Sequence, residues 1–131
     1  IGTYIFNDRS LVENKICSEK KVALTVLATV VSTPTKNRAI IDAGSKVLTS
    51  DLFGMNDHGS IVNYPELRIT QLTEEHGTIV SEQNTNLVIG QKIEIIPNHA
   101  CVVTNMLNEV NLITEEKKIK KVKVIARGKV W

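Results

Sequence analysis

The sequence predicts an all-β domain, a β-barrel or a sandwich. Three observations carry this reading. Short runs rich in Val, Ile, Leu and Thr recur along the chain. Clusters of Asn, Asp, Gly and Pro punctuate them at short intervals. No stretch keeps a 3.6-residue apolar period over three turns. The chain has 131 residues, 42% of them hydrophobic, enough for one packed domain over residues 1–131.

Each element has its own justification. Thr3-Tyr4-Ile5-Phe6 reads as a strand ending at the turn pair Asn7-Asp8. Residues 9–21 are polar and suit a short turn or helix. Residues 23–32 (ALTVLATVVS) form a long β-type run, interrupted by Pro34 and Lys36-Asn37. Residues 38–42 resume it, which predicts a hairpin. Val47-Leu48-Thr49 continues that arm or opens a new turn. Residues 50–65 hold Gly54, Asn56-Asp57, Gly59 and Pro65, and predict a long loop. Long loops in compact domains are often functional. Residues 67–72 alternate cleanly, 77–80 form a short strand, and 87–91 lead into Lys-Ile-Glu-Ile-Ile at 92–96. Residues 110–114 and 122–126 complete the series.

Composition excludes several function classes. Lys plus Arg number 16 and Asp plus Glu 14, a net charge of +2. That balance argues against a dedicated nucleic-acid or membrane-surface binder. The five aromatics, Tyr4, Phe6, Phe53, Tyr64 and Trp131, make no stacking platform for single strands. The lysine-rich run at 117–123 reads as a solvated turn and strand face. No glycine-rich phosphate loop occurs. No apolar run approaches the ~20 residues of a membrane span. Cys17 and Cys101 could pair, but nothing else points to a secreted, disulfide-built domain, so a reducing cytoplasm is the expected location. The chain opens at Ile1 without Met and stops at Trp131, as expected of a piece of a longer polypeptide.

The segment Pro97-Asn98-His99-Ala100-Cys101 carries the most chemistry. Were the strand at 92–96 to continue through it, His99 and Cys101 would share a face, about 6.5–7 Å apart at Cα. An imidazole nitrogen and a thiolate can then converge on a zinc-sized ion. Two ligands leave the tetrahedron open to water, substrate or another segment, as a catalytic metal requires. The plain alternative is a packed cysteine beside a hydrogen-bonded histidine. Two further junctions stand out. Asp42-Ala43-Gly44-Ser45-Lys46 reads as turn chemistry, with Asp42 capping and Gly44 at positive φ. Glu74-Glu75-His76-Gly77 reads as a solvated bend, or else as a polar cluster in which His76 is a third ligand or an acid–base group.

Taken in order, GTYIFND, ALTVLATVVS, RAIIDAGSKVLTSD, TEEHG, IPNHAC with Asn105, and ARG at 126–128 resemble one family. It is the C-terminal β-domain of the D-serine dehydratase and D-threonine aldolase family, whose fold is alanine-racemase-like (fold type III). The resemblance covers nearly the whole chain. It implies a pyridoxal-phosphate- and metal-dependent enzyme acting on a D-amino acid, with His99 and Cys101 as ligands of zinc or another divalent metal. The H-x-C form is similar to the zinc-dependent dehydratase branch; the aldolase branch typically has Asp at the place of Cys101. One departure is that Val102 and Val103 follow the cysteine, with Thr104 one place later. The resemblance further implies that pyridoxal phosphate is held in an N-terminal TIM-type barrel outside this chain, so that these residues include no cofactor-binding or catalytic side chain, and Lys46 is a turn lysine. It implies a homodimer of the intact enzyme, and no nucleic-acid or membrane partner. The rival readings are a non-catalytic β-barrel binding module and a purely structural domain.

Overall fold

The computed structural model describes residues 2–129; Ile1, Val130 and Trp131 lie outside the described residues. Six strands make one sheet: β1 (Val26–Thr35), β2 (Arg38–Ile41), β3 (Ser60–Ile61), β4 (Arg68–Leu72), β5 (Gly77–Val80) and β6 (Lys92–Ile96). Their order is β3-β6-β1-β2-β5-β4, and every pairing is antiparallel. The outer strands β3 and β4 approach each other. The His58 amide, just before β3, donates to Ile69 O of β4 at 3.0 Å. The sheet thus curls into a nearly closed barrel, as the sequence predicts.

The core follows from strand alternation. On β1, Val26, Ala28 and Val30 point inward while Leu27 stays exposed. Ala39, Ile41, Ile69, Ile79, Ile93 and Ile95 fill the same interior. Pro34 is tolerated inside β1 because it falls where the β1–β2 register shifts, between Ser32 and Thr35. A second hairpin, β7 (Glu109–Ile113) with β8 (Ile119–Lys123), stands apart from the barrel sheet, and its lysines face solvent as expected.

Among the described residues short helices stand beside the strands: α1 (Thr3–Phe6), α2 (Arg9–Glu13) and a 3-10 turn at Glu19–Lys21 in the segment expected to hold a turn or helix, α3 (Ser45–Leu48) and α4 (Ala100–Met106). The expected strand at Thr3–Phe6 is therefore corrected to a helix. The barrel's edges are already occupied by β3 and β4, so this segment has no strand to pair with. It crosses α4 instead, with Tyr4 and Ile5 exposed. The expected extension of β6 through His99 and Cys101 is corrected too. The strand stops at Ile96, His99 is the extended N-cap of α4, and Cys101 lies in its first turn. Asp8 explains the switch. It is fully buried, caps α2, and its Oδ2 accepts from Ala100 N at 2.9 Å, which supplies α4 with its first acceptor.

Candidate metal centre

His99 is held from two sides. Its Nδ1 donates to Asp51 Oδ2 at 2.7 Å, which leaves Nε2 as the free ring nitrogen. Phe53 meets the imidazole edge-on, with centroids 4.7 Å apart and planes at 76°. The side chains of His99 and Asp51 are 22% and 41% exposed, so the site opens to solvent. A carboxylate behind a histidine is the arrangement that fixes the tautomer and raises the basicity of metal-binding imidazoles.

Cys101 is a free, half-buried thiol. Its Sγ lies 3.1 Å from Thr3 Oγ1 of α1. A Cβ on Gly2 would stand only 3.0 Å from the same sulfur, so the N-terminal segment crosses close over it. The premise that strand alternation aligns His99 with Cys101 does not hold. Their relation is set by the step from an extended N-cap into a helical turn. A nitrogen and a sulfur donor remain the donor set that suits zinc. Among the described residues no group of three or more His, Cys, Asp or Glu side chains is gathered closely enough to hold a metal ion.

The loop at 50–65 builds this site. Asn98 is buried, and its Nδ2 donates to Asp51 O at 3.0 Å and Asp57 O at 2.7 Å. Asp57 is buried and pairs with Arg9 and, at 3.2 Å, with Arg68. Burial holds the nearby His58 imidazole below its usual pKa, against the pull of Asp57. Asp8, Asp51 and Asn98 stand inside the segments GTYIFND, RAIIDAGSKVLTSD and IPNHAC, yet the sequence assigns no role to them or to Phe53; the loop's length and its glycines mark the region.

The other two junctions go elsewhere. DAGSK and EEHG pack on each other: Ser45 N and Lys46 N donate to Thr73 O at 2.8 Å and Glu74 O at 3.2 Å. Gly44 is required for this approach, because a Cβ there would collide with both carbonyls. Its φ is −104°, so the expected positive φ is corrected to a need for space. Asp42 caps no helix. It accepts from Thr29 N at 2.6 Å. Burial pushes its carboxyl up, but the Thr29 bonds and Lys92 outweigh this and lower it. Lys46 pairs with Glu75 in solvent, which raises the lysine and lowers the carboxyl. His76 is exposed in the bend, its amide bonded to Thr73 Oγ1 at 3.1 Å.

The family profile described as "Putative serine dehydratase domain" matches residues 23–113. The chain is 34% identical over 131 residues to an uncharacterized protein of Mycobacterium tuberculosis, covering 95% of this chain and 98% of that protein. It is 33% identical over 132 residues to the D-serine dehydratase of Dictyostelium discoideum, covering 90% of this chain and 33% of that enzyme. The solved D-threo-3-hydroxyaspartate dehydratase from Delftia sp. HT23 has the same fold, at TM-score 0.84 and 24% identity over 93% of this chain and 37% of that one. The solved D-threonine aldolase from Filomicrobium marinum aligns at TM-score 0.81 and 27% identity over 99% of this chain and 36% of that one. The chain thus spans about a third of the length of these enzymes, and nearly all of the mycobacterial protein.

Proposed function

This chain belongs to the family of that serine dehydratase domain, and from this premise we propose that it is the metal-binding β-domain of a pyridoxal-phosphate-dependent enzyme acting on a D-3-hydroxy amino acid of the D-serine or D-threonine type. The observation that carries the reading is the Asp51 carboxylate on His99 Nδ1, with a free cysteine two residues on. Related enzymes support it. One solved variant of the D-threo-3-hydroxyaspartate dehydratase, with a cysteine replaced by alanine, is a metal-free form; another replaces a histidine two residues before that cysteine. The H-x-C of this chain has that spacing.

In this reading His99 Nε2 and the Cys101 thiolate hold zinc or a similar divalent ion. Asp51 and Phe53 fix the imidazole plane. Such an ion would supply Lewis-acid chemistry at the substrate's β-hydroxyl, and a pyridoxal cofactor would supply an electron sink at Cα. A TIM-type barrel N-terminal to this domain carries the cofactor, the intact enzyme is a homodimer, and the isolated chain catalyses neither dehydration nor aldol cleavage. No helix among the described residues is long and apolar enough to cross a membrane. Two free cysteines fit a reducing cytoplasm.

The test is cobalt titration of the metal-free chain, followed by the thiolate-to-metal absorption band. Wild type develops the band and Cys101→Ala does not; equal bands sink the assignment. Asp51→Asn weakens binding by about 10- to 100-fold.

A second reading rests on the mycobacterial relative, which this chain matches over 98% of that protein's length. In it the domain is a self-standing, non-catalytic metal-binding β-module. An ion held as tightly by this chain alone as by the chain joined to a barrel favours it.

A further inference from the structure

We propose that Asn98 is the positioning residue of this centre: it clamps the 51–57 loop so that Asp51 meets His99 Nδ1 and holds the imidazole in one tautomer. The inference rests on the metal-centre reading for its purpose, but its geometry stands without a metal.

Three observations carry it. Asn98 is 1% exposed, and its amide nitrogen donates to two backbone carbonyls of the loop, those of Asp51 and Asp57. Its Oδ1, buried as well, has no hydrogen-bond partner among the protein's described residues. A buried side chain that leaves an acceptor unpaired is costly, and an apolar residue would fill the space without that penalty. The two donated bonds are therefore what the position requires.

The residues around Asp51 show the same pattern. Its carbonyl is held by Asn98 and its amide bonds to Thr49 Oγ1 at 3.4 Å. Thr49 is buried at φ 63° and ψ 173°, a region that β-branched residues avoid. Phe53, at φ 48°, sits against the imidazole. The far end of the loop is anchored by Arg9 and Arg68 on Asp57. A strained backbone persists only where its surroundings over-determine it. Here those surroundings converge on Asp51, the one loop side chain bonded to His99.

The chemical consequence is specific. With Nδ1–H bonded to a carboxylate, the neutral ring keeps its lone pair on Nε2, the nitrogen free to take a cation. Without the clamp, Asp51 has no fixed position, and the ring relaxes toward a mixture of tautomers. Asn98 touches neither metal nor substrate in this account; it acts through Asp51.

The experiment reads the imidazole directly. Label metal-free protein with 15N and record the His99 ring resonances near neutral pH. Wild type shows the Nδ1–H tautomer. Asn98→Ala, still folded by circular dichroism, shows a mixture, as does the reference Asp51→Asn. If Asn98→Ala does not fold, Asn98→Leu, which fills the space and donates no hydrogen bond, is measured instead. An unchanged tautomer in whichever variant folds overturns the proposal. Cobalt affinity is the second readout. Asn98→Ala lowers it about 10-fold or more, and the Asp51→Asn/Asn98→Ala double variant is no weaker than Asp51→Asn alone. A double variant weaker by the product of both single losses overturns action through Asp51. If wild type binds no cobalt while the tautomer still shifts, the clamp stands and the metal reading fails.

Discussion

Replacing Asp8 tests the claim that residues 92 positions apart build one structure. The carboxylate is fully buried and accepts three hydrogen bonds: from Ser10 Oγ at 2.6 Å, Leu11 N at 3.3 Å and Ala100 N at 2.9 Å. Two of these close the starts of helices, α2 and α4. Loss of an N-cap costs about 1 kcal/mol. A hydrogen bond to a charged acceptor contributes about 1.5–3 kcal/mol, and a buried amide left without a partner costs on the order of 1–3 kcal/mol. The desolvation of the buried carboxylate, relieved by the substitution, offsets part of this. Asp8→Ala should therefore destabilise by roughly 3 kcal/mol. That is a large share of the 5–15 kcal/mol typical of a whole domain. Asp8→Ser separates the two helices. Its hydroxyl can still cap α2 but is too short to reach Ala100, so it recovers only about 1 kcal/mol. Urea unfolding followed by far-ultraviolet circular dichroism gives both numbers. A cost below about 1 kcal/mol for Asp8→Ala, or full rescue by serine, refutes the reasoning, because either would mean that α4 starts without this residue.

Further outcomes follow from the same contacts. Gly44→Ala should cost at least about 2 kcal/mol in urea unfolding, because a methyl group has no room beside the Thr73 and Glu74 carbonyls. Gly54→Ala, at φ +80° with nothing within 4 Å, should cost only about 1 kcal/mol from its backbone conformation. Burial depresses the His58 pKa, so below the ordinary value of 6.5 the unfolded chain binds a proton that the folded chain resists. Stability should fall as pH drops through 6.5 toward the folded value, and His58→Phe should make that slope shallower in urea midpoints taken between pH 7 and 5. Lys120→Ala with Lys121→Ala, both exposed on β8, should leave the cobalt affinity where it was, and a loss of binding would place the site elsewhere.

The barrel was legible where burial is one-sided. On β6, Ile93 and Ile95 are buried while Lys92 and Glu94 are exposed, and an alternating sequence states this directly. The same holds for β5 and for the inward residues of β1. Apart from α2, which falls in the polar segment 9–21 expected to hold a turn or helix, the helices were not legible, for a reason of length. The longest, α4, has 7 residues, and α1 and α3 have 4 each, too few for a 3.6-residue period to show. Such helices owe little to propensity and depend on tertiary caps and packing. Thr3–Phe6 shows the cost of ignoring this: its composition favours a strand, but the barrel offers that segment no edge.

The candidate site divides along the same line. A local pattern such as H-x-C names the donor atoms, because the chemistry of imidazole and thiol does not depend on neighbours. It misplaces them in space, because the chain turns at Asn98 under the influence of residues 8, 51 and 57. DAGSK and EEHG are specific as motifs yet serve packing: Gly44 lets one turn approach the other, and Lys46 meets Glu75 in solvent. Asp51 ends the segment RAIIDAGSKVLTSD with no role that the segment announces, and it is the residue bonded to His99 Nδ1. A short sequence pattern records what the backbone must do nearby. The carboxylate that orients the His99 ring arrives from 48 positions away, through a loop marked in the sequence by its length and glycines.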